Sequence, residues 1–189
     1  MMPVTSSIFT IGHSTLALAD FIAILKNYDI RLLVDIRTVP RSRTNPQYNQ
    51  DSLPDALVAE RLKYTHLAGL GGLRSRNKAF PVGESPNSGW ENSSFRNYAD
   101  YALTPSFSQS LDELIAIATV PTAIMCAEAV WWRCHRRIVA DYLLVRGITA
   151  LDLIPPAPPQ PHKLTAFARV QPDGTILYPK TDRQEASEE

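Results

Sequence analysis

Only two cysteines and four histidines occur among the 189 residues, together with just eight glycines. Two thiols are too few for a disulfide-stapled secreted scaffold. No apolar run approaches the roughly 20 residues that a membrane span needs. The opening MMPVTSSIFT lacks the basic-then-apolar pattern of a secretory signal. A cytoplasmic protein with reduced thiols and no membrane contact is therefore expected. Excess charge of one sign is missing as well: 19 Lys and Arg balance 19 Asp and Glu. That balance excludes a protein that coats polyanions by bulk charge alone. No internal repeat is visible, which excludes a solenoid.

What is present is 44% hydrophobic residues against 20% charged, enough for one domain with a substantial core. Local charge is uneven. Residues 31–78 hold nine Lys or Arg against four acids, and residues 84–113 hold five acids and one arginine, so the first block can present a basic surface.

The apolar run SIFTIG (7–12) reads as a strand, with Ser14 or Thr15 available to cap the next helix. Phe21, Ile24, Leu25 and Tyr28 form that helix's apolar stripe. RLLVDI (31–36) is too uniformly apolar for a solvated strand, so the pattern predicts a right-handed crossover in a parallel sheet. A helix over 51–61 capped by Asp51 or Ser52, a strand over 63–67, helices around 95–102 and after Thr104-Pro105, a strand over 121–126, a helix over 134–147 closed by Gly147, and a strand in ITALDLI follow. Residues 69–93 are rich in Gly, Ser, Pro and Asn and read as a functional loop, a candidate lid. PPAPPQP (155–161) reads as a stiff connector, and ARVQPDGTILY, within 167–179, as a β-hairpin turning at Asp173-Gly174. The expected fold is α/β: a mostly parallel sheet of about five strands with helices on both faces, plus a C-terminal hairpin. It forms one domain over 1–179, with its core at 7–155 and a disordered acidic tail at 180–189.

In such sheets ligands bind beyond the carboxyl ends of the strands. Gly12, His13 and Ser14 follow the first strand, Asp35 and Arg37 and then Arg41 and Arg43 the second, His66 the third, and Cys126 and Glu128 the fourth. The stretch IMCAEAVWWRCHRRI (124–138) adds Trp131, Trp132, Arg133, Cys134, His135 and Arg136. Three chemistries fit. Asp35 or Glu128 can activate water or stabilise a developing cation, with His13 and His135 as acid–base partners. Arg37, Arg41, Arg43, Arg74, Arg76, Arg133 and Arg136 suit phosphate oxygens, Ser14 adds a hydroxyl, and Trp132 or its neighbour offers a face to a base. Alternatively Cys126 acts as a nucleophile with Cys134 resolving. A third possibility is a non-catalytic module that binds an anion.

The tyrosine-phosphatase pattern does not fit. Cys126 to Arg133 is one residue too long, no glycine intervenes, and Glu128 would repel the phosphate. The rhodanese pattern survives only as an analogy, through its LVDIR-like strand and late cysteine. No cofactor is expected. Zinc on Cys126, Cys134 and His135, completed by His13 or His66, is the minority alternative, because compact zinc knuckles use closer cysteine spacing. The expected partner is DNA, RNA or a phosphate-bearing small molecule, and oligomeric state is left open.

TIGHS (10–14), LLVDIRTVPRS (32–42), LGG (70–72), FRNYADY (95–101) and MCAEAVWWRCHRRIVADYL (125–143) resemble the signature blocks of the bacterial and archaeal family called domain of unknown function 488. The resemblance spans roughly residues 7–155. It implies an α/β domain and a site built from His13, Ser14, Asp35, Arg37, Cys126, Glu128, Cys134, His135 and Arg136. It implies no particular reaction, so enzymatic work on nucleic acid or a nucleotide-like substrate (base removal, repair or modification) is an expectation from the residues alone.

Overall fold

Strands without polar alternation must be covered on both faces, and the computed structural model, which describes residues 7–81 and 83–181, covers them so. Strands β1 (Ser7–Gly12), β2 (Leu32–Asp35), β3 (Lys63–His66), β4 (Thr122–Cys126), β5 (Thr149–Leu153) and β6 (Gln160–Pro161) form one sheet in the order β3-β2-β4-β1-β5-β6. The pairs β1/β4, β1/β5, β2/β3 and β2/β4 are parallel. Helix α1 (Leu18–Asn27) and α2 (Leu53–Ala59) cover one face. The helices α3 (Ser93–Ala102), α4 (Pro105–Ile117) and α5 (Arg136–Val145) cover the other.

The period of two sorts the core into these two layers. Leu32, Val34, Ile36 and Ile124 pack beneath α3, α4 and α5. Leu33, Ala123 and Met125 pack against Phe21, Leu25, Leu53 and Leu57 on the other side. β1 lies between β4 and β5, so the chain leaves it in both directions, and the residues after β1, β2 and β4 meet at one edge. No helix among the described residues is long and apolar enough to cross a membrane.

Several expectations need correction. The sheet has a sixth strand, because the proline-rich connector supplies the antiparallel edge strand β6 on β5. Pro161 lacks an N–H and is tolerated there since only one side of an edge strand is paired. Ser14 does not cap α1: it sits at φ 48, and the cap position is Ala17, which makes no side-chain cap bond. Ser52 occupies the cap of α2, but its hydroxyl donates to the Pro46 and Asn49 carbonyls instead. Thr104 caps α4 as its sequence suggests, accepting from the Phe107 N–H. The hairpin β7 (Arg169–Val170) and β8 (Ile176–Leu177) forms as expected, with Gly174 at φ 82. The expected acidic tail lies, from residue 182 on, outside the described residues.

The C-terminal segment is held by a buried polar network. His162 bonds Asp152 of β5 at 2.7 Å and Asp141 of α5 at 3.1 Å. Thr10 of β1 donates to Asp152 at 3.0 Å, and Tyr178 and the Thr165 N–H donate to Asp141 at 2.9 Å each. Burial alone would lower the His162 pKa. Its bonds to the two carboxylates outweigh burial and raise it to about 9.

A histidine that titrates near 6.5 in the unfolded chain and at about 9 here stabilises the fold fully below pH 6.5 and loses that contribution as pH rises through 9. Urea midpoints should therefore fall between pH 7 and pH 10. In His162→Leu, which strands two buried carboxylates, the fold should be weaker by about 3 kcal/mol at pH 7, and the decline attributable to this residue should vanish.

Candidate functional site

The carboxyl ends of β1, β2 and β4 open into a cleft of about 680 Å³. Its floor is sulfur and imidazole. Cys126 ends β4, and Cys134 and His135 precede α5. His135 Nδ1 lies 3.5 Å from Cys134 Sγ and 4.0 Å from Cys126 Sγ. All three ligand-capable atoms fall within 4.8 Å of one another. His135 Nε2 is 3.0 Å from the Ile36 carbonyl. A carbonyl only accepts, so Nε2 carries a proton, and Nδ1 is the nitrogen that faces both sulfurs.

Arg136 lies directly behind this floor and is fully buried. Its Nε donates to Cys134 Sγ at 3.4 Å, and its Nη2 donates to the carbonyls of Glu128 and Ala129. Among the described residues no carboxylate pairs with it, and its Nη1 has no hydrogen-bond partner. A buried guanidinium requires a counter-charge, and the sulfur of Cys134 is the group placed to supply one. Burial pushes the Cys134 thiol up, but its hydrogen bond with Cys126 and the nearby His135 and Arg136 outweigh it and hold the thiol well below its ordinary range. That same hydrogen bond, followed by burial, drives Cys126 the other way.

Asp35 and Arg37 form a second charged unit. Arg37 Nε reaches both carboxylate oxygens of Asp35 at 2.9 and 3.1 Å, and its Nη2 reaches Oδ2 at 2.5 Å. Tyr64 donates to the same Oδ2 at 2.8 Å, and Arg37 Nη2 also donates to the Tyr48 carbonyl at 2.6 Å. Arg37 Nη1 then meets His13 Nε2 at 3.3 Å. His13 Nδ1 donates to the Ser14 carbonyl at 2.8 Å, and its ring stacks on Tyr48 with centroids 4.0 Å apart. Burial lowers the His13 pKa to about 4, opposed by the Ser14 carbonyl and reinforced by Arg37. His13 is a neutral wall residue that accepts from Arg37.

The expected site residues thus separate. His13, Ser14, Arg37, Arg41, Cys126, Glu128, Arg133, Cys134 and His135 line the cleft. Asp35 does not: it is fully buried beneath Arg37, which removes it as a general base and makes it the anchor of that arginine. Arg41 pairs with Asp51 at 3.2 Å on the exposed rim, and Arg43 is exposed outside the cleft lining. Trp132 is 47% exposed but does not line the cleft, and Trp131 packs edge-on against His162. Arg74 donates to the carbonyls of Ala68, Gly69 and Gly71 and lies over the Tyr101 ring, and Arg76 donates to the Phe80 carbonyl; both brace the loop. His66 Nε2 is engaged by the Arg37 carbonyl at 2.8 Å, so neither His66 nor His13 completes a metal set.

Residues 68–74 form a fixed wall rather than a lid. Tyr98 and Tyr101 donate to the Leu70 and Gly69 carbonyls, and the Leu73 N–H donates to Thr38 Oγ1. Gly72 abuts the site: a Cβ there would stand 2.4 Å from His135 Nδ1. Its role, like those of Tyr48 and Tyr64, was missed from sequence. The Gly-Gly pair at 71–72 was the available signal, since adjacent glycines mark close backbone approach.

The division of labour has a measurable consequence. Asp35→Asn should lower stability by about 3 kcal/mol by leaving Arg37 buried without its counter-charge, and Tyr64→Phe by about 1 kcal/mol. Chemical denaturation measures both. Equal stability for Asp35→Asn and the wild type would return Asp35 to a chemical role.

The model of the family described as domain of unknown function DUF488 matches residues 17–143. No curated protein and no solved structure matches the chain. The match includes the second strand, the glycine pair and the whole Cys126–Arg136 segment, and it covers more than half of the sequence; the chain belongs to the DUF488 family.

Proposed function

We propose that the chain is an enzyme for an anionic, phosphate-bearing substrate, a nucleotide or a nucleic-acid strand, held at the cleft mouth and worked on at the sulfur–imidazole floor. One observation carries this reading: the cleft lining holds Arg37, Arg41 and Arg133 against the single acid Glu128. Guanidinium groups bind phosphate oxygens through paired N–H donors. Ser14, Thr15, Ser42 and Thr44 add hydroxyls to the same lining. Val39 and Leu73, 61% and 76% exposed, also line it and offer apolar contact to a base or sugar. The carboxylate in reach of a bound substrate is Glu128 rather than Asp35.

Thiol transfer or redox work by Cys126 and Cys134 is the second reading, favoured by the proximity of the two sulfurs. Charge placement runs against it. The sulfur that reaches the cleft more openly is pushed toward its protonated form, while the one held below its ordinary range belongs to a residue only 4% exposed. The thiolate is the nucleophile, so an incoming electrophile meets the less reactive sulfur.

Fluorescence titration with a labelled single-stranded oligonucleotide and with a nucleoside monophosphate tests the first reading. Affinity should fall linearly with salt on logarithmic axes. Arg133→Glu should weaken binding about tenfold or more, and Arg43→Glu, outside the lining, markedly less. Salt-independent binding, or equal losses at the two positions, would overturn the proposal.

A further inference from the structure

From the geometry of the cleft floor we infer that Cys126, Cys134 and His135 form a three-ligand site for a zinc-class divalent cation, with its fourth coordination position open to the cleft. The inference deepens the proposed function and rests on its reading of the floor as the reacting centre.

Four observations converge. First, the spacing is that of a coordination shell before closure. Tetrahedral zinc holds sulfur at about 2.3 Å and imidazole nitrogen at about 2.0–2.1 Å, so sulfur–nitrogen edges come to roughly 3.5 Å. The two edges here are 3.5 and 4.0 Å. Second, the ring is oriented. Its Nε2–H donates to the Ile36 carbonyl, which leaves Nδ1 as the nitrogen facing both sulfurs, and a carbonyl behind a ligating histidine is the usual outer-sphere support of a metal ligand. Third, Arg136 Nε donates to Cys134 Sγ. Such N–H···S contacts temper the negative charge of a ligating thiolate and orient it. Fourth, Gly72 leaves room where it is needed, because any side chain there would fill the space at Nδ1.

As free thiols these groups are badly arranged for attack, since the guanidinium-paired sulfur is buried at the back of the floor. As ligands the same arrangement is coherent. A soft to borderline cation takes two thiolates and one neutral imidazole, forming two metal–sulfur bonds and one metal–nitrogen bond, and any remaining thiol proton passes to water. No oxygen ligand belongs to the set, which disfavours magnesium or calcium. Three protein ligands with one open position is the pattern of zinc sites that activate water or polarise an oxygen, whereas purely structural sites close all four. All three ligands line the cleft, so the open position faces the substrate space.

Elemental mass spectrometry of the purified full-length chain, followed by cobalt titration of chelator-treated protein, tests this. About one zinc per chain is expected, and cobalt should give the ligand-field absorption of a tetrahedral site together with a sulfur-to-cobalt charge-transfer band. Cys126→Ser and His135→Gln should each weaken cobalt binding at least tenfold. Gly72→Ala, which retains all three ligands, should weaken it as well, and Arg43→Glu, outside the cleft lining, should leave it unchanged. Cobalt binding without the sulfur band, binding unaltered in Cys126→Ser, or a metal-free chain whose mass shows a Cys126–Cys134 disulfide would overturn the inference. Cys134→Ser also removes the sulfur partner of the buried Arg136, so the decision rests on the other variants. Salt-dependent ligand binding measured on metal-free protein is a separate readout, so failure of the metal site and failure of the phosphate-binding reading are distinguishable.

Discussion

A guanidinium buried without a carboxylate determines how this site is built. Arg136 stands at the start of α5 with no exposed surface, and it gathers the Glu128 and Ala129 carbonyls and the Cys134 sulfur around itself. Those contacts fold the loop between β4 and α5 back over the sheet edge. β1 must pass close beneath it. A Cβ at Gly12 would stand 1.7 Å from the Glu128 carbonyl oxygen and 2.9 Å from Arg136 Nη2, so only glycine fits there. The loop backbone is then stitched to β1 by the His13 and Ser14 N–H groups, which donate to the Cys126 and Ala127 carbonyls. Gly12, Cys126, Glu128, Cys134 and Arg136 are thus parts of one arrangement, explained by the need to satisfy one buried cation.

The same principle recurs twice more, with different chemistry. Arg37, which lines the cleft, is neutralised by Asp35, whose carboxylate lies buried outside that lining. His162 is neutralised by two carboxylates on the far side of β5. Each unit fixes a segment with little regular structure: the stretch after β2, the loop after β4, and the chain beyond β5. Burying charge is expensive unless it is paired and hydrogen-bonded, and each pairing here selects one loop path over the alternatives. The Arg136 unit differs from the other two in that its guanidinium meets sulfur in place of carboxylate. That difference is what leaves a polarisable, metal-competent atom at the floor of the cleft.

Much of this was legible in the sequence, and the limits of legibility have a physical pattern. Uniform apolar runs such as LLVD and TAIMC could only be strands covered on both faces, and the residues that follow them had to meet at the sheet's carboxyl edge. His13, Arg37, Cys126 and Glu128 were found by that rule, and His135 by the cysteine-rich stretch that follows. Side-chain direction was not, because it depends on partners distant in sequence. Asp35 turns to Tyr64 and Arg37, 29 and two residues away, and only the pairing of β2 with β3 brings the tyrosine there. The exposed arginines were illegible for the opposite reason: among the described residues no side-chain hydrogen bond or ion pair holds Arg43 in place, so its charge says little about where it points. Pro161 in β6 escaped because a proline-rich run reads as a connector, and only the location of β5 at the edge of the parallel set gives it a partner.

The two carboxylates singled out from the sequence end in opposite roles, and the reason lies in which of their atoms the fold consumes. Asp35 gives up its side chain: both oxygens are taken by Arg37 and Tyr64, and the residue is fully buried. Glu128 gives up its backbone instead. Its carbonyl binds Arg136, which fixes the main chain and leaves the carboxylate exposed in the cleft lining, two residues from Cys126. A carboxylate so placed is anchored at its backbone and open to the space above the sulfur–imidazole floor. Carboxylate and floor are positioned by the same guanidinium, so moving one moves the other. On the proposed reading, the carboxylate within reach of a bound substrate and the sulfurs beneath it are set in register by Arg136.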